Sequence, residues 1–333
     1  MDKKTNPQFE VSVIVPCYNE GKTVQFLLQA ILGQSYEIKN LEVVIADAMS
    51  TDNTRQKILE FSKSNSALAI RIVDNPKRTI PSAVNLAANS AKGKYLVRMD
   101  AHSVPNKNYI LNSVNLLKSG KAQNVGGVWE IYPGDDSCIA KAIARAVSHP
   151  LGAGDANYRI SIKADYVDTV PFGAFKKVDF IDLGGFDENL LSNEDYEFNT
   201  RLRQNGGKIW LDPSIHSKYY ARKNLKELGK QYWRYGFWKN RMLRKYPRSL
   251  RWRQAIPPLF LVFIIIFGVS SIFTPIARII LGTGVGFYLC ALFLSSCIES
   301  VKMKNGCYMK MVLAFATIHF CWGGGFLFSY FSK

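Results

Sequence analysis

Asp100 and His102 close the stretch "KYLVRMDAHS", an apolar run that ends in a carboxylate, one spacer and an imidazole. A carboxylate and an imidazole so spaced can share a divalent cation, and open α/β sheets take ligands at the carboxyl ends of their strands. The same aspartate can instead open a turn before the helix that follows Pro105, and these residues taken alone favour the turn. A second acidic group, Glu194-Asp195 in "SNEDYEFN", begins a helical stretch. It suits a helix first turn, where the macrodipole favours negative charge, or a base that takes a proton from an attacking hydroxyl.

Periodicity predicts the strands and helices that carry these groups. "VSVIV" (11 to 15), "LEVVIA" (41 to 46), "AIRIV" (69 to 73) and "YLVRM" (95 to 99) are short apolar runs separated by helical patterns. Val24, Leu27, Leu28 and Ile31 mark one helix face, and further helices fit at Asn53 to Ser64 and Pro81 to Ala91. Alternation of this kind predicts βαβ units and a mostly parallel sheet, an α/β fold. Beyond Gly120 the rhythm changes to mixed short strands, with helices expected at "CIAKAIARAVSH" and from Glu194 to Gln204.

The turns after the strands narrow the chemistry. The turn "PCYNEGKT" after strand one lacks the glycine series of a dinucleotide fold, and no P-loop occurs. Strand two ends in Asp47 and "AMSTDNT", which can bond a nucleoside or cap the next helix; alone, the capping role of Asp52 or Asn53 is favoured. The six cysteines show no metal-knuckle spacing and read as small apolar fillers, with no disulfide framework expected. His216 can approach a diphosphate, although a lone histidine is more often structural; His149 and His319 receive no role.

The chain has 333 residues and a formal net charge of +17. Between His216 and Gln254 lysines and arginines recur, from Lys218 and Arg222 to Arg251 and Arg253, against the single acid Glu227. The block runs directly into apolar sequence, which points to an anionic membrane surface and away from nucleic acid. Ile256 to Ile276, Ile279 to Ile298 and Met311 to Phe331 each approach the length of about 20 residues that spans a bilayer, and none holds Asp, Glu, Lys or Arg. Gly323-Gly324-Gly325 leaves open whether the third crosses or re-enters. The basic block, with Lys302, Lys304 and Lys310 between spans two and three, predicts a cytoplasmic amino-terminal part. "MDKKTNPQFE" does not read as a signal peptide.

Taken together, "VSVIVPCYNEGKTV", "VVIADAMSTDNT", "RMDAHS", "GGFDENLLSNEDYEFNTRLRQNGGKIW" and "QYWRYG" resemble an inverting family 2 glycosyltransferase with the GT-A fold. The order "DAH", "VPFGAF", "GGFDE" and "QYWRYGFWK" is most similar to the succinoglycan-synthesis type of membrane-bound glucosyltransferase. The resemblance covers roughly residues 9 to 250.

It implies that Pro16, Tyr18 and Glu20 lie around the uridine, that Asp47 contacts the uracil or ribose, and that Arg78 helps hold the nucleotide. Asp100 and His102 occupy the first and third places of an Asp-x-Asp motif and would position Mn²⁺ or Mg²⁺. Histidine in the third place departs from the wider family, and imidazole suits Mn²⁺ better than Mg²⁺. Asp195, with Glu194, matches the catalytic base. Gln231, Trp233 and Arg234 fall in a Gln-x-x-Arg-Trp motif, with Tyr235 in place of the tryptophan; they can meet acceptor and diphosphate, and an interfacial helix explains the aromatics equally well.

The expected organisation is a cytoplasmic catalytic domain over 1–220, a basic interfacial segment over 221–255 and three transmembrane helices over 256–333. The expected donor is a UDP-hexose, UDP-glucose first. The expected acceptor is a polyprenyl-diphosphate-linked saccharide at the inner membrane, with other glycan-assembly enzymes as partners. Two other readings compete. A processive polysaccharide synthase would be expected to carry spans before the catalytic domain, and a non-catalytic UDP-binding scaffold would have no need to keep Asp100, Glu194 and Asp195.

Overall fold

A computed structural model describes residues 9–154, 156–161, 163–303 and 307–332. The chain divides into two compact units, one formed by residues up to Glu130 together with Ser161–Tyr219, the other by Ile131–Ile160 and Tyr220–Lys333.

The first unit is built on one mixed sheet. In chain order it holds β1 (Val11–Cys17), α1 (Val24–Leu32), β2 (Leu41–Asp47), α2 (Thr54–Ser64), β3 (Ala69–Asp74), α3 (Ile80–Ser90), β4 (Tyr95–Arg98), β5 (Val104–Pro105), α4 (Tyr109–Lys118) and most of β6 (Asn124–Tyr132). The chain leaves through α5 (Cys138–Val147), α6 (Pro150–Ala153) and α7 (Asn157–Ile160) of the second unit. It returns as β7 (Asp165–Tyr166), β8 (Ala174–Lys176), α8 (Lys177–Asp182), α9 (Glu194–Gln204) and β9 (Ile209–Tyr220).

The strand order is β3-β2-β1-β4-β8-β6-β9-β5, with β7 on β9. β1 lies parallel to both β2 and β4, and β2 to β3. From β8 onward the pairs β4·β8, β6·β8, β5·β9 and β7·β9 are antiparallel. β1 and β2 are buried along their whole length, which explains why they read as mainly apolar runs, and the buried Ser12 of β1 donates to Glu42 of β2 at 2.6 Å. Val13, Val15, Val43 and Ile45 pack on one face with Leu27, Leu28 and Ile31 of α1. Ile14, Val44 and Leu96 pack on the other with Val84, Ala87 and Ala88 of α3.

The second unit continues with α10 (Leu225–Lys245), α11 (Trp252–Ser270), α12 (Pro275–Met303) and α13 (Tyr308–Phe331). The last three are long and apolar enough to cross a membrane. Helix α13 runs unbroken through Gly323, Gly324 and Gly325, and those glycines are occupied from outside. A Cβ on Gly325 would lie 2.2 Å from the Trp233 carbonyl oxygen, and one on Gly236 of α10 would lie 2.1 Å from that of Trp322. Small residues thus let α10 and α13 touch backbone to backbone. Arg244 donates to the Ser329 carbonyl at 2.7 Å, satisfying an orphan acceptor at the end of α13. Lys304 lies outside the described residues.

Two cysteines depart from the reading of all six as apolar fillers. Cys138 at the start of α5 and Cys307 just before α13 form a disulfide across a Cα–Cα separation of 5.9 Å, with a sequence separation of 169. Cys17, Cys290, Cys297 and Cys321 are free.

Candidate active site

Four parallel strands bring four loops to one edge of the sheet. Pro16 and Cys17 at the end of β1 stand in register with Ala46 and Asp47 at the end of β2, and Ile14 with Arg98 of β4. The strand order reverses between β1 and β4, so a crevice opens at their carboxyl ends. Tyr18 and Glu20 follow β1, Asp100 and His102 follow β4, and Arg78 follows β3.

These loops are held in rarely used backbone conformations. Among the described residues the non-glycine positions with positive φ are Asn19 (52°), Met49 (59°), Arg78 (54°), Phe172 (63°) and Asn193 (63°). Asn19, Arg78 and Asn193 adjoin or are residues that the sequence nominated, Met49 lies two residues after Asp47, and Phe172 lines a small crevice with Asp195. Such strain persists only where surrounding structure enforces it, and it concentrates at functional sites. Asn19 shows how it is enforced: its Oδ1 accepts from the Thr51 amide at 2.9 Å and its amide donates to Ser50 Oγ at 2.9 Å. Phe172 is the centre of a γ-turn, in which the Gly173 amide donates to the Pro171 carbonyl at 2.7 Å.

Asp47 is fully buried and accepts from both the amide and the hydroxyl of Ser50, the latter at 2.5 Å. Arg55 approaches it at 3.5 Å. Asp52 starts α2 by accepting from the Thr54 amide at 3.0 Å, and also receives the Gly21 amide at 3.1 Å. "STDNT" therefore ties the loop after β1 to the loop after β2. Tyr18 and Arg78 are exposed on the same edge.

His102 and Glu20 meet: Nδ1 of the imidazole lies 2.9 Å from Oε1 of the carboxylate. Burial works to raise the Glu20 pKa, but hydrogen bonds from His102 and Thr23 outweigh it and hold the carboxyl below its ordinary value. Asp100 is 21% exposed at its side chain and His102 53%. No three of the described His, Cys, Asp and Glu residues converge as a ready-made metal cage. The donor set of one carboxylate and one imidazole instead fits a cation that takes its remaining ligands from a diphosphate and water, the usual arrangement at phosphoryl-bearing sites.

Glu194 and Asp195 open α9, after Asn193 in the left-handed region. The Tyr196 amide donates to Asp195 Oδ1 at 2.7 Å. The helix is anchored from several sides. Arg201 bonds the Gly185 carbonyl at 2.6 Å and Glu197 at 2.6 Å, and Asn199 receives Asn124 at 2.7 Å. Asn85 of α3 bonds both the amide and the carbonyl of Phe186, at 2.8 and 2.9 Å, pinning the "GGFDE" loop. Phe175, Phe180, Phe186 and Phe198 pack as a cluster beneath it, mostly edge to face. Burial, and then the neighbouring charge of Asp195, push Glu194 up to about 7. Burial raises Asp195 as well, with Arg98 opposing it.

Arg98 is the member that the sequence reading passed over. It lies in β4 with a side chain only 5% exposed, and its Nη2 reaches Asp100 at 3.3 Å and Glu194 at 3.4 Å. The signal was present in "YLVRM": a charge inside an apolar strand must find a buried partner. His216, by contrast, takes structural partners, with Nε2 3.1 Å from Glu130 and Nδ1 3.3 Å from Asn106.

The remaining nominated residues lie on α10 in the second unit. Gln231 is buried and donates to the Tyr235 hydroxyl at 2.9 Å, so the motif's two ends support each other across one helical turn. The Trp233 ring packs against Gly324 and Phe328 of α13. Arg234 is exposed.

Residues 12–178 match the family described as Glycosyl transferase family 2. The chain is 29% identical over 281 residues to a dolichyl N-acetyl-alpha-D-glucosaminyl phosphate 3-beta-D-2,3-diacetamido-2,3-dideoxy-beta-D-glucuronosyltransferase of Methanococcus voltae, covering 82% of this chain and 86% of that one. It is 30% identical over 247 residues to the succinoglycan biosynthesis protein ExoA of Rhizobium meliloti, covering 74% and 73%. The solved mannosyltransferase PcManGT from Pyrobaculum calidifontis, in complex with GDP-Man and Mn²⁺, superposes with a TM-score of 0.65 at 20% identity, over 94% of this chain and 88% of that one. That likeness identifies the fold as GT-A. With half its length matching the family and a relative at 30% identity across most of it, the chain belongs to glycosyl transferase family 2.

Proposed function

We propose that the protein is an inverting, metal-dependent hexosyltransferase that moves glucose or a related hexose from a UDP-sugar to a polyprenyl-diphosphate-linked saccharide in exopolysaccharide or cell-surface glycan assembly. Residues 1–220 form its catalytic part, at the cytoplasmic face of the inner membrane. One observation carries the reading: the Glu194-Asp195 pair at the start of α9 is joined through Arg98 to Asp100 at the end of β4. A single-displacement transfer needs those two functions close together, one to hold the departing diphosphate and one to take a proton from the acceptor. The relative from Methanococcus voltae is named for a sugar carried on dolichyl phosphate, which supports a lipid-linked acceptor. Helices long enough to span a bilayer suit a membrane-presented substrate.

In this reading Tyr18, Glu20, Asp47 and Arg78 line the nucleotide. Asp100 and His102 would hold Mn²⁺ or Mg²⁺, whose charge neutralises the leaving diphosphate. Asp195 accepts the proton of the attacking hydroxyl. Glu194 stays beside it as a second acid held by Arg98. Gln231, Trp233 and Arg234 are assigned to the acceptor or its diphosphate, as their Gln-x-x-Arg-Trp-like motif implies.

The test is nucleotide release by the membrane-embedded protein from a panel of UDP-hexoses and GDP-mannose, with Mn²⁺ or Mg²⁺ and polyprenyl-linked saccharide. Turnover of one UDP-hexose that requires both cation and lipid is expected, with a loss of about 10²- to 10⁴-fold in Asp195→Asn. Turnover of GDP-mannose alone would remove the donor assignment. An undiminished Asp195→Asn would remove the base.

A further inference from the structure

Arg98 carries more contacts than a buried cation needs for company, and each is incomplete. Its Nε and Nη2 both reach Asp100 Oδ1 at 3.3 Å, and Nη2 also reaches Glu194 Oε1 at 3.4 Å. Charge-assisted bonds of this type normally close to about 2.7–2.9 Å. Nη1 is buried without a hydrogen-bond partner among the described residues. Asp195 adds a third negative charge acting on the same guanidinium. One cation is thus divided among three carboxylates, on two elements separated by 96 residues of sequence, with one nitrogen unused.

We propose that Arg98 is a positioning residue that couples the cation side of the site to its proton-accepting side: a divalent cation on Asp100 releases the guanidinium, which turns its fork, including Nη1, onto Glu194 and Asp195. The inference rests on the proposed roles of Asp100 and Asp195. Without a cation, Asp100 competes with α9 for the guanidinium and neither side is held well. With one, Asp100 gains a stronger partner and the planar fork can close on a single carboxylate. Nη1, whose burial without a partner costs free energy, then finds an acceptor. The base is therefore ordered when donor and cation are in place, and less so before. Linkage makes this reciprocal: whatever holds Arg98 at α9 must also strengthen cation binding at Asp100.

Reciprocity supplies a test that does not depend on turnover. Free Mn²⁺ is followed by its electron paramagnetic resonance signal over the full chain in membranes with saturating UDP, for wild type, Glu194→Gln, Arg98→Lys and the double variant. Glu194→Gln, although Glu194 is no cation ligand, is expected to weaken Mn²⁺ about tenfold, because α9 loses the carboxylate that bonds the guanidinium and Asp100 holds it more of the time. In the Arg98→Lys background, where a point charge replaces the fork, the same substitution is expected to change Mn²⁺ affinity by less than about twofold. Equal changes in the two backgrounds, or none in the first, overturn the proposal. At saturating Mn²⁺ and donor, Arg98→Lys is expected to lose about a hundredfold in kcat with KM for the donor within about threefold; an unchanged kcat overturns it too. UDP binding reports that each variant is folded, and Arg98→Gln replaces Arg98→Lys in the cycle if the lysine variant fails that check. Asp100→Asn distinguishes failure of the coupling from failure of the cation assignment. If it leaves Mn²⁺ binding intact, the cation assignment itself falls, whatever Arg98 does.

Discussion

Glu194 is a carboxylate that the fold keeps partly protonated near neutral pH. Burial disfavours its charge, the adjacent Asp195 disfavours it further, and Arg98 recovers only part of the loss. The sign of the consequence follows from proton counting. The folded chain holds Glu194's proton up to about pH 7, whereas an unfolded glutamate releases it near its ordinary value, so stability falls as pH rises through that window and levels off above it. Glu194→Gln removes the penalty. Its unfolding midpoint should therefore rise relative to wild type at pH 8 and not at pH 4, as thermal unfolding in detergent will show. Because the pair titrates as a unit, losing one negative charge should also move the acid limb of the activity profile to lower pH. The pair was visible in the sequence as "NEDYE", and so was Asp100. The arginine between them could be flagged from "YLVRM", but its partners could not be named, because they are set by how β4 and α9 come together and not by spacing. Phe172 was hidden for the same reason, since nothing in "VPFGAF" announces a γ-turn.

Among the strands and helices, the parallel half of the sheet was legible almost to the residue. Parallel strands covered on both faces read as mainly apolar runs, and α9 keeps the expected limits of Glu194 and Gln204. The seat of α10 was not legible. "GGG" in an apolar segment reads equally as a break or as a contact, and the structure makes it a contact, Gly324 and Gly325 with Trp233 and Gly323 with Pro257 and Leu261. Gly236→Ala should push α10 off α13, since the new methyl meets the Trp322 backbone at 2.1 Å and a carbonyl cannot rotate away. We expect a loss of about 1–3 kcal/mol, read as a lower unfolding midpoint. Gly268→Ala in α11, where a Cβ meets nothing within 4 Å, should cost nothing by the same assay.

For the chain in its membrane, Cys138 and Cys307 put the proposed orientation at risk in a useful way. Cys307 precedes α13 on the side that carries Lys302 and Lys310, the side assigned to the cytoplasm. A reducing compartment keeps such a pair as thiols. Both should then be alkylated by a permeant maleimide in growing cells and should close into the bond only after isolation in air, a change seen as two labels by mass. A bond already formed in cells would turn this face of the membrane unit toward an oxidising compartment and reverse the topology.

The close embrace of α10 and α13 also dictates an order of events. A ribosome finishes α10 at Lys245 and must add about sixty residues before α13 begins at Tyr308, and domains form largely from the amino terminus during synthesis. The first unit's strands are all available before that time, but α10 has no seat until α13 has been made. Gln231, Trp233 and Arg234 therefore reach their final places only after α13 has emerged, and a shorter nascent chain cannot present them.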